Sequence, residues 1–135
     1  MNVCRLLWVV ATVALVNGCT PTSTNLTPRN VARTPSDVYH FETQWETSRR
    51  GVSGSDVQAY VVIRDTMYPM KRVAGTVDRW EADVPVPPSQ TVIPYQFKYD
   101  YTYPTLTKRK VSSDLSPQYF LDLSKPVPQF VPPGQ

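Results

Sequence analysis

Few side chains in this 135-residue chain can act as bases, nucleophiles or metal ligands. The single histidine, His40, excludes any multi-histidine metal site. Of the two cysteines, Cys4 and Cys19, both lie close to the N-terminus. The carboxylates of the central region, Glu42, Glu46, Asp65, Asp78, Glu81 and Asp83, are the remaining candidates for proton transfer. Glu81 and Asp83 are two residues apart, so an extended chain puts them on one face about 7 Å from each other. No neighbour is placed to tune either as a general acid. His40 alternates with Tyr39 and Phe41 and belongs to the solvated side of a strand. The run Arg49-Arg50-Gly51-Val52-Ser53-Gly54-Ser55-Asp56 spaces its glycines wrongly for a nucleotide-phosphate fingerprint and reads as a mobile loop between strands. These residue types point away from catalysis, and away from any metal or organic cofactor.

The elements that carry them are strands. From Val38 to Leu123 the apolar period is two, not 3.6. Tyr39, Phe41 and Trp45 share one face, as do Val57, Ala59, Val61 and Ile63, and again Trp80, Ala82, Val84 and Val86. Tyr60 and Val62 stand opposite in the second of these strands, which is therefore expected to be central and covered on both sides. Ile93, Tyr95, Phe97, Tyr99, Tyr101 and Tyr103 form the longest alternating row. Weaker strands are expected near Leu106–Val111 and Tyr119–Leu123. Turns are expected at Arg50-Gly51, Ser53-Gly54, Tyr68-Pro69, Ala74-Gly75, Pro87-Pro88-Ser89 and Ser116-Pro117. Short strands at such intervals predict an all-β, antiparallel sandwich of about six or seven strands with an immunoglobulin-like layout. Tyr95, Phe97 and Tyr99 fall in mid-strand and are expected in the core. Tyr101 and Tyr103 extend beyond a typical strand of about 5–6 residues. They are expected at the rim, where they could stack on a sugar or contact a protein partner.

The chain opens MNVCRLLWVVATVALVNGCT, with Arg5 ahead of an apolar run from Leu6 to Val16. That run is too short for a membrane-spanning helix of about 20 residues and fits the apolar region of a secretory signal. Val16-Asn17-Gly18-Cys19 resembles the lipobox of bacterial lipoproteins. The resemblance implies that residues 1–18 are a signal peptide and that Cys19 is acylated and becomes the mature N-terminus. Thr20 stands where an aspartate would oppose export to the outer membrane, so the resemblance implies a lipid-anchored outer-membrane protein. Cys4 lies inside the signal, which leaves no disulfide for the mature chain.

Residues 19–37 are rich in Thr, Ser, Asn and Pro and short of large apolar side chains. Such a composition predicts a flexible tether between lipid and domain. Residues 38–124 are the expected sandwich. Residues 125–135 hold four prolines, at 126, 128, 132 and 133, and are expected as an extended tail. In that tail Phe130, between Val127 and Val131, is a possible anchor for a partner, or the tail is a spacer. The formal charge is +3. Lys108-Arg109-Lys110 is the densest basic run, which suits a solvated loop or contact with anionic lipid and gives no basis for nucleic-acid binding.

The run Trp80-Glu-Ala-Asp-Val-Pro-Val-Pro-Pro followed by Tyr95-Gln-Phe-Lys-Tyr99 is similar to the later strands of early-set immunoglobulin-like domains, among them the glycogen- and starch-binding modules. Those modules usually have glycine in the connecting turn, where this chain has Ser89-Gln90-Thr91, and the likeness implies the fold more than a ligand. Two functions stay open: a non-catalytic structural or protein-interaction component of the envelope, and a glycan-binding lipoprotein using the Tyr101/Tyr103 fringe.

Overall fold

The computed structural model describes residues 20–124. Nine strands follow one another: β1 (Thr22–Asn25), β2 (Val38–Glu46), β3 (Val57–Ile63), β4 (Thr66–Pro69), β5 (Lys71–Arg72), β6 (Arg79–Pro85), β7 (Val92–Pro104), β8 (Arg109–Leu115) and β9 (Tyr119–Asp122). They form two antiparallel sheets. One has the order β1-β2-β6-β5, and the other β4-β3-β7-β8 with β9 also on β7. The first reads as A-B-E-D, and β3-β7-β8 read as C-F-G with β4 and β9 added, the arrangement of an immunoglobulin-like sandwich.

Alternation decides which side chains fill the space between the sheets. Phe41, Val61, Val84, Ile93, Phe97 and Tyr99 are wholly buried there, with Trp45 and Trp80 almost so. Most aromatic rings contact one another edge-on or tilted, while Trp45 stacks on Tyr99 at 5.4 Å. Phe41 meets Tyr95 at 4.9 Å, Tyr95 meets Phe97 at 5.5 Å and Trp80 meets Tyr99 at 6.4 Å between centroids. Rings of this size each bury about 150–250 Å², so a few of them supply most of a small core.

The 13 residues of β7 are the spine of the molecule. One edge pairs with β3. The other edge pairs with β9 over Val92 to Tyr95 and with β8 over Lys98 to Pro104. Between those partners Ser116 is buried. Its Oγ accepts from the Phe97 N–H at 2.8 Å and its own N–H donates to the Phe97 carbonyl at 2.8 Å. A serine hydroxyl thus stands in for a backbone carbonyl where the chain steps from one edge strand to the next, so no buried donor is orphaned.

Two expectations change. Residues 22–37 are not a free tether. β1 pairs with β2 from Thr22↔Glu46 to Asn25↔Thr43. The Thr27 hydroxyl donates to the Glu42 carbonyl and accepts from the Glu42 N–H, which prolongs the ladder. Further on, Asn30 bridges Asp122 in parallel and the Val31 N–H donates to the Asp122 carbonyl at 3.0 Å. Composition predicts disorder from the shortage of apolar area, but this segment is held by backbone ladders and by its polar side chains. The strand count also rises from six or seven to nine. Tyr68-Pro69 lies in β4 rather than in a turn, and the later edge strand is shifted to Arg109–Leu115. Edge strands need no apolar face of their own, so alternation does not mark them. Cys19 and Phe130 lie outside the described residues.

Candidate functional site

The antiparallel registers place the loops in two groups. Thr22 of β1 sits opposite Glu46 at the end of β2, Gln44 opposite Arg79 at the start of β6, and Val57 of β3 opposite Tyr101 near the end of β7. One pole therefore gathers the N-terminal end of β1 and the loops 47–56, 73–78 and 105–108. The opposite pole gathers the connections 26–37, 64–65 and 86–91, together with the end of β9, while 116–118 lies beside the middle of β7.

The first pole is built tightly. Gly51 has φ +78°, and a Cβ there would lie 2.5 Å from Pro104 Cγ. Only glycine fits, both for the backbone angle and for the contact between the two loops. A Cβ on Gly54 would lie 2.5 Å from the Val77 carbonyl oxygen and 2.7 Å from an Arg72 guanidinium nitrogen. Ser53 and Asp56 cap the short 3₁₀ turn Gly54–Asp56 reciprocally. Asp56 then takes a hydrogen bond at 2.7 Å from Arg109, across the gap to β8.

Between the loops runs a cleft of about 490 Å³ lined by Trp45, Glu46, Val52, Gly54, Val77 and Asp78, among others. Gln44 Nε2 donates to Glu46 at 2.6 Å and to Asp78 at 2.7 Å, which fixes both carboxylates at its rim. Trp45 and Trp80 contribute edges only, since each is 3 % exposed. The cleft offers hydrogen-bonding groups but no open aromatic face.

The predicted tyrosine fringe is resolved differently for its two members. Tyr101 is not at the rim: it is 2 % exposed, and its ring lies 5.0 Å from Trp45. Tyr103 is half-buried, with the Arg49 guanidinium 4.2 Å above its ring centre. Asp114, opposite Tyr99 on β8, faces this group. Burial pushes the Asp114 carboxyl above its ordinary value, against the pull of Trp45, Tyr101 and Arg49. Thus Tyr101 and Tyr103 share a cluster with Trp45, Arg49 and Asp114, but they present no bare platform to a ligand.

Of the candidate carboxylates, Glu42, Glu81 and Asp83 lie with His40 on the outer face of the four-stranded sheet, while Asp65 is in the β3–β4 connection. His40 Nδ1 is 2.9 Å from Asp83 and its Nε2 is 3.7 Å from Glu81, while Glu81 also meets Lys71 at 3.5 Å. Arg79 pairs with Glu42 beside them. This is an exposed stripe of compensating charge with no nucleophile or enclosed pocket. Among the described residues no three His, Cys, Asp or Glu side chains converge to hold a metal ion. None of the described helices is long and apolar enough to cross a membrane.

Alternation did not single out the outer face of the five-stranded sheet. Among the described residues eight large apolar side chains are exposed, and five of them, Met67, Val92, Val111, Leu115 and Phe120, stand on this face. The register shows why: Val62 opposes Met67, Pro94 opposes Phe120, Lys98 opposes Leu115 and Thr102 opposes Val111. At its centre Lys98 pairs with Asp100, which also accepts from Ser113 at 2.6 Å. The signal for this face lay in the even positions of the long tyrosine strand, where Val92 and Pro94 interrupt an otherwise polar row. Comparison with protein-family models, with curated proteins and with solved structures finds no match for this chain.

Proposed function

We propose that the chain is a non-catalytic lipoprotein of a bacterial envelope, held to the outer membrane by acylated Cys19 and offering its sandwich to a protein partner as part of an assembly. The protein-contact half of this reading is carried by one observation: Met67, Val92, Val111, Leu115 and Phe120 share the outer face of one sheet while 48, 79, 60 and 48 % of Val92, Val111, Leu115 and Phe120 remain exposed. Exposed apolar side chains concentrated on one face, here around the central Lys98–Asp100 pair, are characteristic of protein contact sites. The edge of β8, unpaired among the described residues, borders that face and can accept a further strand or a flat surface. The anchor half is supported by Val16-Asn17-Gly18-Cys19.

A photo-crosslinking amino acid placed at Val111 or Leu115 in living cells tests the contact. A discrete protein adduct is expected from these positions and none from His40, on the outer face of the other sheet. Equal adducts from all three, or none, would remove the support for this reading. Mass spectrometry of the mature N-terminus tests the anchor separately, and an unmodified terminus at another residue would overturn it.

A further inference from the structure

The loop pole carries an uneven charge. Arg49, Arg50, Arg72, Lys108, Arg109 and Lys110 are all exposed there. The acidic groups of the same pole are fewer, Glu46, Asp56, Asp78 and Asp114, of which Asp56 pairs with Arg109 and Asp114 interacts with Arg49, so a positive excess remains. The opposite pole is balanced, with Arg29, Arg33 and Arg64 set against Asp37, Asp65 and Asp122. Two of the most exposed apolar side chains of the described residues also project from the loop pole, Leu106 at 106 % and Val77 at 74 %. Leu106 tops a turn closed by Thr105, whose N–H and hydroxyl both donate to the Lys108 carbonyl, at 2.8 and 2.6 Å. Leu106 thus stands on a turn closed by two hydrogen bonds, next to Lys108, Arg109 and Lys110.

Chain geometry adds an independent argument. Cys19 is bonded to Thr20, and Thr22 is already fixed opposite Glu46 at this same pole. Three residues reach at most about 10 Å. Because β1 is a strand and not a tether, a lipid on Cys19 draws this pole, and no other, to the bilayer surface.

We infer that the loop pole is a lipid-docking face, on which its basic side chains, Arg50, Arg72, Lys108 and Lys110 foremost, meet anionic headgroups and Leu106 and Val77 enter the headgroup layer. The inference rests on the lipid-anchor reading for its orientation, but the face itself consists of described residues. Basic side chains next to an anionic bilayer attract it within a Debye length, so the interaction weakens with salt. The loops 47–56 and 105–108 and the adjoining ends of β5 and β8 carry the cations and Leu106 at one end of the sandwich, as a planar partner requires.

The test uses the chain from residue 19 onward with Cys19→Ser, so that no acyl chain contributes. Cosedimentation is measured with vesicles of phosphatidylcholine, with and without phosphatidylglycerol. Binding is expected only to the anionic vesicles, with release at high salt. Arg50→Glu, Lys108→Glu and Leu106→Asp should each weaken it at least about fivefold, the effect of one basic side chain near such a surface. Arg64→Glu at the other pole should leave it unchanged. Absence of binding, equal binding to both vesicles, or equal loss from Arg64→Glu overturns the inference; binding of phosphatidylglycerol vesicles that Leu106→Asp and Lys108→Glu leave intact does so as well. If Cys19 proves acylated while this chain ignores vesicles, the docking face fails and the anchor stands. If vesicles bind while Cys19 is unmodified, the anchor fails alone.

Discussion

The tyrosine hydroxyls explain the otherwise odd polarity of the N-terminal segment. Tyr39, Tyr95, Tyr99 and Tyr101 are buried to 3 % exposure or less. A buried phenol without a partner is costly, by about 1–3 kcal/mol. The Thr34 N–H serves Tyr39 at 3.2 Å, Asn25 serves Tyr95 at 2.9 Å and Ser23 serves Tyr99 at 2.7 Å. Thr43 completes the last set: its hydroxyl donates to the Thr24 carbonyl, which leaves Tyr99 donating to Thr43 at 2.6 Å. Burial pushes the Tyr99 hydroxyl up to about 12, in spite of Ser23 and Thr43. A raised folded value gives stability that is complete below the ordinary value of about 10 and lost as the pH rises through the folded one. Tyr99→Phe should therefore cost about 1–3 kcal/mol at neutral pH by denaturant unfolding. The native protein should lose about 3 kcal/mol on approach to pH 12 that Tyr99→Phe retains, so the gap between them should close. A constant gap would show that Tyr99 does not titrate with unfolding. The core position of Tyr95, Phe97 and Tyr99 was legible in the sequence, because alternation states which side chains share a face. The need for Ser23 and Asn25 was not, because the phenols and their partners are 70 or more residues apart.

At the scale of elements the long strand misled for a definable reason. A strand of typical length would have ended near Phe97 or Tyr99 and left Tyr101 outside. β7 instead has two successive partners on one edge, β9 and then β8, and remains in register for 13 residues. Tyr101 stays inside as a result, and only Tyr103 reaches the rim. β8 carries a titration of its own. Burial raises the Asp114 carboxyl, so the folded chain holds that proton more tightly than the unfolded chain does. The stability this gives is full below the ordinary carboxylate value of about 4 and is lost as the pH rises through the raised value. Asp114→Asn should remove that decline, and its melting temperature should vary less than that of the native protein from about pH 4 upward. An unchanged slope would assign the titration elsewhere. Asp100 falls in a different window. Burial would raise it, but Lys98 and Ser113 outweigh burial and lower it, so its contribution is lost only on acidification below the ordinary value.

The whole molecule is polar along its strands. The N-terminal end of β1 and the basic loops lie at one end, while β9 ends at the other, roughly 40 Å away by the length of β7. Sandwich architecture and the two-sheet division were legible in the sequence. This polarity was not, because it depends on β1 being a strand and on its register with β2. The parallel join between the first and last segments has a mechanical consequence. Asn30 bridges Asp122, the Val31 N–H donates to the Asp122 carbonyl, and the Asp122 N–H donates to the Arg29 carbonyl at 2.8 Å. A pull applied at residue 20 and opposed at residue 124 runs along the strands, so it loads the β1–β2 ladder, this join and the β9–β7 ladder in shear, with their hydrogen bonds sharing the force. Tension between residue 20 and Leu106, both at the loop pole, would instead peel β1 from β2 one bond at a time. Single-molecule extension from residues 20 and 124 should need a clearly larger rupture force than extension from residues 20 and 106, and equal forces would show that the join carries no load. A domain strung between a surface and whatever its far end grips would then behave as a stiff link rather than a spring.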